Sequence, residues 1–146
     1  MKIVCAVDRS AVSDRVVAMV LDIARQPDSA VLLVNVAPRE ADVLGKQLTR
    51  KVVTDPVPEE FTDRRELLDR HAATFLEAEI ACETLLIRGI PGRTLSNEAA
   101  RWGADLIVMG SHGRGALYKR FIGSVSEAVL QDARKPVLVV PARANS

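Results

Sequence analysis

Aromatic side chains are scarce in this sequence, with one Trp, one Tyr and three Phe making up 3% of the chain. That excludes the stacking platforms on which single-stranded nucleic acid is held. Charge of one sign is not in excess either. Lys and Arg number 20, Asp and Glu 19, for a formal net charge of +1. Without a basic surplus there is no bulk attraction to nucleic acid or to an anionic membrane. Cys5 and Cys82 are too few for a disulfide framework and lack the paired spacing of a zinc site, so both are read as small buried apolar residues. No apolar run approaches the roughly 18 residues of a membrane span, and the opening run at residues 3–7 is too short for a signal-peptide core. The expectation is a cytoplasmic protein with neither a membrane nor a nucleic-acid partner. Two nucleotide signatures are missing as well. There is no G-x-x-x-x-G-K-S/T, and no G-x-G-x-x-G after the first apolar run.

What is present is a chain of 146 residues, 48% hydrophobic and 27% charged. That is one ordinary domain over residues 1–146, large enough to bury about 70% of its unfolded surface. Short β-branched runs alternate with amphipathic stretches. Strands are expected at residues 3–7, 30–36, 83–88, 106–109 and 137–140. A first helix, capped by Ser10, runs to about Arg25 with Val12, Val16, Met19, Val20 and Ile23 at helical spacing. A second starts near Asp63-x-x-Glu66, with Leu68, Ala72, Phe75, Leu76 and Ile80 inward and His71 at the surface or half-buried. A third turns Leu95, Ala99 and Trp102 to the sheet, and a fourth covers residues 124–134. Strands apolar on both faces, alternating with helices, predict an α/β fold whose parallel sheet is covered on both sides. Residues 38–61 lack clear periodicity and are read as a flap or a loop with a short helix. Residues 142–146 are read as a frayed tail.

Ligands of open parallel sheets bind beyond the carboxyl ends of the strands. The informative stretch there is Gly110-Ser111-His112-Gly113, nine further residues, then Gly123-Ser124. Glycines let backbone N–H groups approach an anion, and a helix opening at Ser124 adds the positive end of its dipole. The alternative stays open, because glycines also end strands and Ser124-x-x-Glu127 is a capping box in its own right. His112, Arg114, Lys119 and Arg120 could neutralise phosphate or form a solvated basic loop. Ser111 beside His112 is no hydrolase elbow, since no G-x-S-x-G surrounds it.

Gly110-x-x-Gly113, nine residues, Gly123-Ser124 resembles the G-2x-G-9x-G-S/T pattern of the ATP-binding branch of the universal stress protein family. The likeness extends to Ile3-Val4-Cys5-Ala6-Val7-Asp8-x-Ser10, Leu33-Val34-Asn35-Val36, Gly89-Ile90-Pro91, the run from Ala104 to Ser111, and Lys135-Pro136-Val137-Leu138-Val139-Val140-Pro141. It implies a Rossmann-like fold of the adenine nucleotide alpha hydrolase type, an open five-stranded parallel sheet in the order 3-2-1-4-5. It implies ATP with Mg²⁺ as ligand. Asp8 would lie at the ribose and phosphates and could hold the Mg²⁺, and Val36 would meet adenine through its backbone. Met109, Gly110, Gly113, Gly123, Ser124 and Val125 would surround the ribose and phosphates. Arg9 departs from the family, many of whose members have glycine there, and adds a cation near the site.

The same order puts Cys5 and Cys82 two strand spacings apart, about 9.5 Å, beyond the roughly 7 Å a disulfide allows. It also makes Val137–Val140 an edge strand of four apolar β-formers, which invites antiparallel pairing with a second copy as in the family. A loop or tail covering that edge is the alternative. Three functions follow: a homodimeric nucleotide-dependent stress-response switch with slow hydrolysis at most, a nucleotide-hydrolysing or adenylate-forming enzyme, and a nucleotide-free dimerisation module. The first is the expected one.

Overall fold

Parallel pairing joins every strand to its neighbours in a computed structural model that describes residues 1–38, 59–111 and 124–142. Along these residues the elements run β1 (Lys2–Ala6), α1 (Val12–Ile23), β2 (Ala30–Ala37), α2 (Glu59–Glu77), β3 (Ala81–Arg88), α3 (Pro91–Trp102), β4 (Leu106–Gly110), α4 (Ser124–Asp132) and β5 (Val137–Val140). The five-stranded sheet has the order β3-β2-β1-β4-β5, the expected 3-2-1-4-5. Alternation along the strands divides the core. Ile3, Cys5, Val31, Leu33 and Val108 pack with Val16, Val20, Leu68 and Phe75 of α1 and α2. Val4, Leu32, Val34, Ile107 and Met109 pack with Leu95, Ala99 and Val129 of α3 and α4. Both faces are therefore dry, which is why the strands read as apolar runs.

Local features differ from the sequence expectation in instructive ways. The N-cap of α1 is Ala11, with no side-chain cap, because the Ser10 N–H and hydroxyl both turn back to Asp8 Oδ1. Met19 is 40% exposed and Leu76 61%, each lying beside the buried stripe of its helix rather than within it. The second helix begins four residues before Asp63, at Glu59, inside the stretch expected to be a loop. Most of that stretch, residues 39–58, lies outside the described residues, as does the expected frayed tail from 143 on. Gly103 ends α3 at φ 72°, a left-handed conformation that glycine adopts without strain, and its N–H reaches the carbonyls of Ala99 and Ala100.

Both cysteines are free. Cys5 pairs with Leu33 and Cys82 with Val31, so β2 separates them and they sit two residues out of step. Burial pushes both thiols up, Cys82 to about 11 and Cys5 further, which keeps them protonated at neutral pH.

At the far edge, among the described residues, β5 pairs with β4 alone. Pro136 and Val140 turn their carbonyls to β4, accepting from Ile107 N at 2.9 Å and Ser111 N at 2.8 Å. Backbone groups alternate in direction along a strand, so those of Val137 and Val139 point away from the sheet.

His71 corrects the surface reading. It is 4% exposed, and its Nε2 finds no hydrogen-bond partner among the described residues. Burial lowers its pKa below the usual 6.5, Arg70 lowers it further, and Asp14 of α1 opposes them. The unfolded chain therefore takes up a proton that the folded one resists, and stability falls as pH drops through about 6.5. His71→Gln should flatten that fall between pH 7 and 5 in urea denaturation. An unchanged pH slope would place the effect elsewhere.

Candidate functional site

The chain runs from β1 through β2 to β3 on one side of the sheet and through β4 to β5 on the other, so the order reverses between β1 and β4. Such a reversal opens a crevice above the strand ends. Pairing of β1 with β4 stops at Cys5↔Val108, and with β2 at Ala6↔Val34. Asp8 and Gly110 follow immediately on the two sides of that divide.

Asp8 builds the turn from β1 into α1. Its Oδ1 accepts from Ser10 N at 2.8 Å, from the Ser10 hydroxyl, and lies 3.1 Å from Ser13 Oγ. Its own N–H donates to Ser13 Oγ at 2.8 Å, and the Ser13 hydroxyl reaches Asp8 O at 2.9 Å. An Asx turn of this kind spends one carboxylate oxygen on the backbone. The other, Oδ2, makes no hydrogen bond among the described residues.

Gly110 ends β4 against the first turn of α1. A Cβ there would stand 2.6 Å from Val12 Cγ1 and 3.1 Å from Val12 Cγ2. Its carbonyl accepts from the buried Ser126 hydroxyl of α4 at 2.9 Å, which draws the start of that helix to the strand end. Val125, one residue before, packs partly buried on the α3–α4 side of the sheet. Met109 lies in the same cluster at 4% exposure, so its side chain is committed to the core. Ser124 opens α4. Gly113 and Gly123 lie outside the described residues, as do His112, Arg114, Lys119 and Arg120.

Val36 lies near the end of β2, one strand from Asp8. Val34 turns its carbonyl to β1, accepting from Val7 N at 3.0 Å, and Ala37 turns its carbonyl to β3, accepting from Gly89 N at 3.0 Å. Val36, in step with Val34, therefore directs both its N–H and its C=O to the β1 side, where β1 has already ended. Neither group has a backbone partner there among the described residues. A donor and an acceptor side by side thus open into the crevice.

Four residues around the site were given no role by the sequence, although Asn35 lies in the family-like run Leu33-Val34-Asn35-Val36: Ser13, Asn35, Arg64 and Ser126. Asn35 is 1% exposed, a polar break in an apolar strand, and that break was the available signal. Its Nδ2 donates to Val7 O at 2.8 Å, and its Oδ1 accepts from Arg64 Nη1 at 2.8 Å. Beside Arg64, two more arginines stand on this rim. Arg9 approaches Asp63 at 3.9 Å, and Arg88 lies 4.3 Å from the centre of the Phe61 ring. Among the described residues no three His, Cys, Asp or Glu gather as metal ligands. No helix among them is long and apolar enough to cross a membrane.

An open Rossmann-like sheet with a polar crevice at its switch point defines the class. Within that class the chain belongs to the universal stress protein family, whose model matches residues 1–141. It is 30% identical over 142 residues to the universal stress protein MJ0531 of Methanocaldococcus jannaschii, covering 95% of this chain and 81% of that one. It superposes on the solved structure of MJ0577 from the same organism with a TM-score of 0.83 and 26% identity, over 99% of this chain and 97% of the other. The universal stress protein of Archaeoglobus fulgidus, solved in complex with dAMP, shares the fold with a TM-score of 0.72 and 23% identity, over 95% and 96% of the two chains.

The Gly110–Val12 contact gives a direct test of what this glycine does for the fold. Gly110→Ala should cost about 1–3 kcal/mol, because the new methyl overpacks a buried side chain. Val12→Ala makes room, so the double variant should be less destabilised than the sum of the two single ones. Strict additivity in chemical denaturation would show that the contact is not tight.

Proposed function

We propose that this chain, acting as a single domain over residues 1–146, is a cytoplasmic, ATP-binding universal stress protein that works as a nucleotide-dependent stress-response switch with slow hydrolysis at most. The observation that carries the reading is the N–H and C=O of Val36, which point past the end of β1 beside Asp8 and have no backbone partner among the described residues. Adenine offers an amino donor next to a ring-nitrogen acceptor, the complement of that pair. Solved proteins of the same fold support an adenine nucleotide. One is in complex with dAMP, another with cAMP, and one from Arabidopsis thaliana has AMP bound.

In this reading Val36 reads the base through its backbone. Asp8 Oδ2 faces the ribose and phosphates and takes part in holding Mg²⁺. Met109 and Gly110 line the floor, and Gly113, Gly123, Ser124 and Val125 receive the phosphates, as the motif implies. Mg²⁺ supplies charge neutralisation between the phosphate oxygens. The protein positions these groups and excludes water, and the bound state is the signal.

Calorimetry with ATP and Mg²⁺ tests the site. Gly113→Val and Gly123→Val should abolish binding with the fold intact, and Asp8→Asn should keep the turn while weakening the Mg²⁺-dependent part of the affinity. Unchanged ATP affinity in both glycine variants would sink the site. Steady-state turnover at enzyme-like rates would instead favour the hydrolase reading.

The reading includes a homodimer in which β5 pairs antiparallel with its copy. The outward-pointing backbone of Val137 and Val139 supports this, since an open apolar edge otherwise stays exposed. Val139→Pro removes a donor from the outer side without touching the β4 ladder, and should shift the chain toward monomer. A wild type that scatters light as a monomer at high concentration would rule the dimer out and leave the nucleotide site standing.

A further inference from the structure

We infer that Asn35, held by Arg64, is the positioning residue that keeps the Val36 backbone open, and so sets the preference of the crevice for adenine; the base preference rests on the nucleotide reading above. Were the β1–β2 ladder to continue one step past Ala6↔Val34, Val7 would sit opposite Asn35 and its carbonyl would accept from Val36 N. That bond is absent. The Asn35 amide takes the Val7 carbonyl instead, at 2.8 Å, and the backbone groups of Val36 have no backbone partner among the described residues. A side chain has been substituted for a ladder bond at the point where the strands must part.

The amide has only one chemically sensible orientation. One end faces a carbonyl, which needs the NH₂ group, and the other faces the guanidinium of Arg64, which needs the oxygen. Arg64 fixes that orientation from α2 across a part-buried bond of 2.8 Å, so the Asn35 side chain is held from flipping its oxygen toward Val7. An aliphatic residue at 35 would leave the Val7 carbonyl without its donor. The nearest replacement is the N–H of Val36, and taking it would close the strands and remove one half of the base-reading pair. Guanine carries a carbonyl where adenine carries its amino group, so the donor–acceptor pair discriminates only while both of its members are available.

Two measurements on the full chain test this. Amide hydrogen exchange needs no ligand. In the wild type the Val36 amide should exchange at least tenfold faster than that of Val34, and in Asn35→Val it should become protected by a comparable factor. Calorimetry should show that Asn35→Val lowers ATP affinity at least tenfold and narrows the ATP-over-GTP preference, with inorganic tripolyphosphate bound within twofold of wild type. Arg64→Met, a change at a half-exposed helical position, should move the same readouts in the same direction by less. A Val36 amide as slow as Val34 in the wild type overturns the inference, as does a folded Asn35→Val protein with unchanged ATP affinity and preference. A wild type that binds neither ATP nor tripolyphosphate overturns the nucleotide reading, and the exchange rates then decide alone whether Asn35 holds Val36 open.

Discussion

Pairing between β1 and its neighbours has to stop, and the whole carboxyl end of the sheet depends on how it stops. Each backbone group released by a strand end needs a new partner, since an unpaired buried one costs about as much as a lost hydrogen bond. Here the partners are side chains from four directions. Asn35 takes the Val7 carbonyl, Ser13 takes the Asp8 N–H, Asp8 takes the Ser10 N–H, and Ser126 reaches the Gly110 carbonyl across the divide. Among the described residues, the two backbone groups of Val36 have no such partner and Asp8 Oδ2 takes none of these bonds. Side chains that replace ladder bonds in this way hold the strand ends apart without leaving their own carbonyls and amides unpaired.

The parallel α/β architecture was legible because strands buried on both faces must be apolar throughout. The strand order was not in the periodicity and came from the likeness to a family. Misreadings cluster where two local signals compete. Ser10 and Asp8 are both capping residues, and which one serves the backbone depends on where β1 ends, a non-local fact. At α2, Asp63-x-x-Glu66 resembles a helix start but lies within a helix already begun at Glu59. His71 lies at helical spacing from Leu68 and Phe75, so its burial followed from position while residue type suggested otherwise. The Asn35–Arg64 bond joins residues 29 apart on different elements, and no pattern within either segment announces it.

The glycines of the nucleotide motif do not all carry the same information. Gly110 has a packing reason of its own, since a Cβ there would stand 2.6 Å from Val12 Cγ1, and this holds whether or not a phosphate ever approaches. A glycine explained by the fold says little about a ligand. The weight of the motif therefore rests on its later members, and on the backbone groups of Val36, which the motif does not include.

Charge at the rim separates into contacts of different permanence. With a net charge of only +1 the chain has no global field to draw an anion in, so attraction must come from local groups. Arg9, Arg64 and Arg88 each contact an element other than their own, and through Asp63, Asn35 and Phe61 they fasten the amino end of α2 to the ends of β1, β2 and β3. The Arg64 bond ends on an amide oxygen that is shut away from water, and removing it would strand a buried acceptor. The Arg9–Asp63 pair is long and partly solvated, so the solvent already screens most of its attraction. Arg64 cannot leave Asn35 without undoing the strand ends. The arginine that shapes the strand ends is therefore one the motif never named.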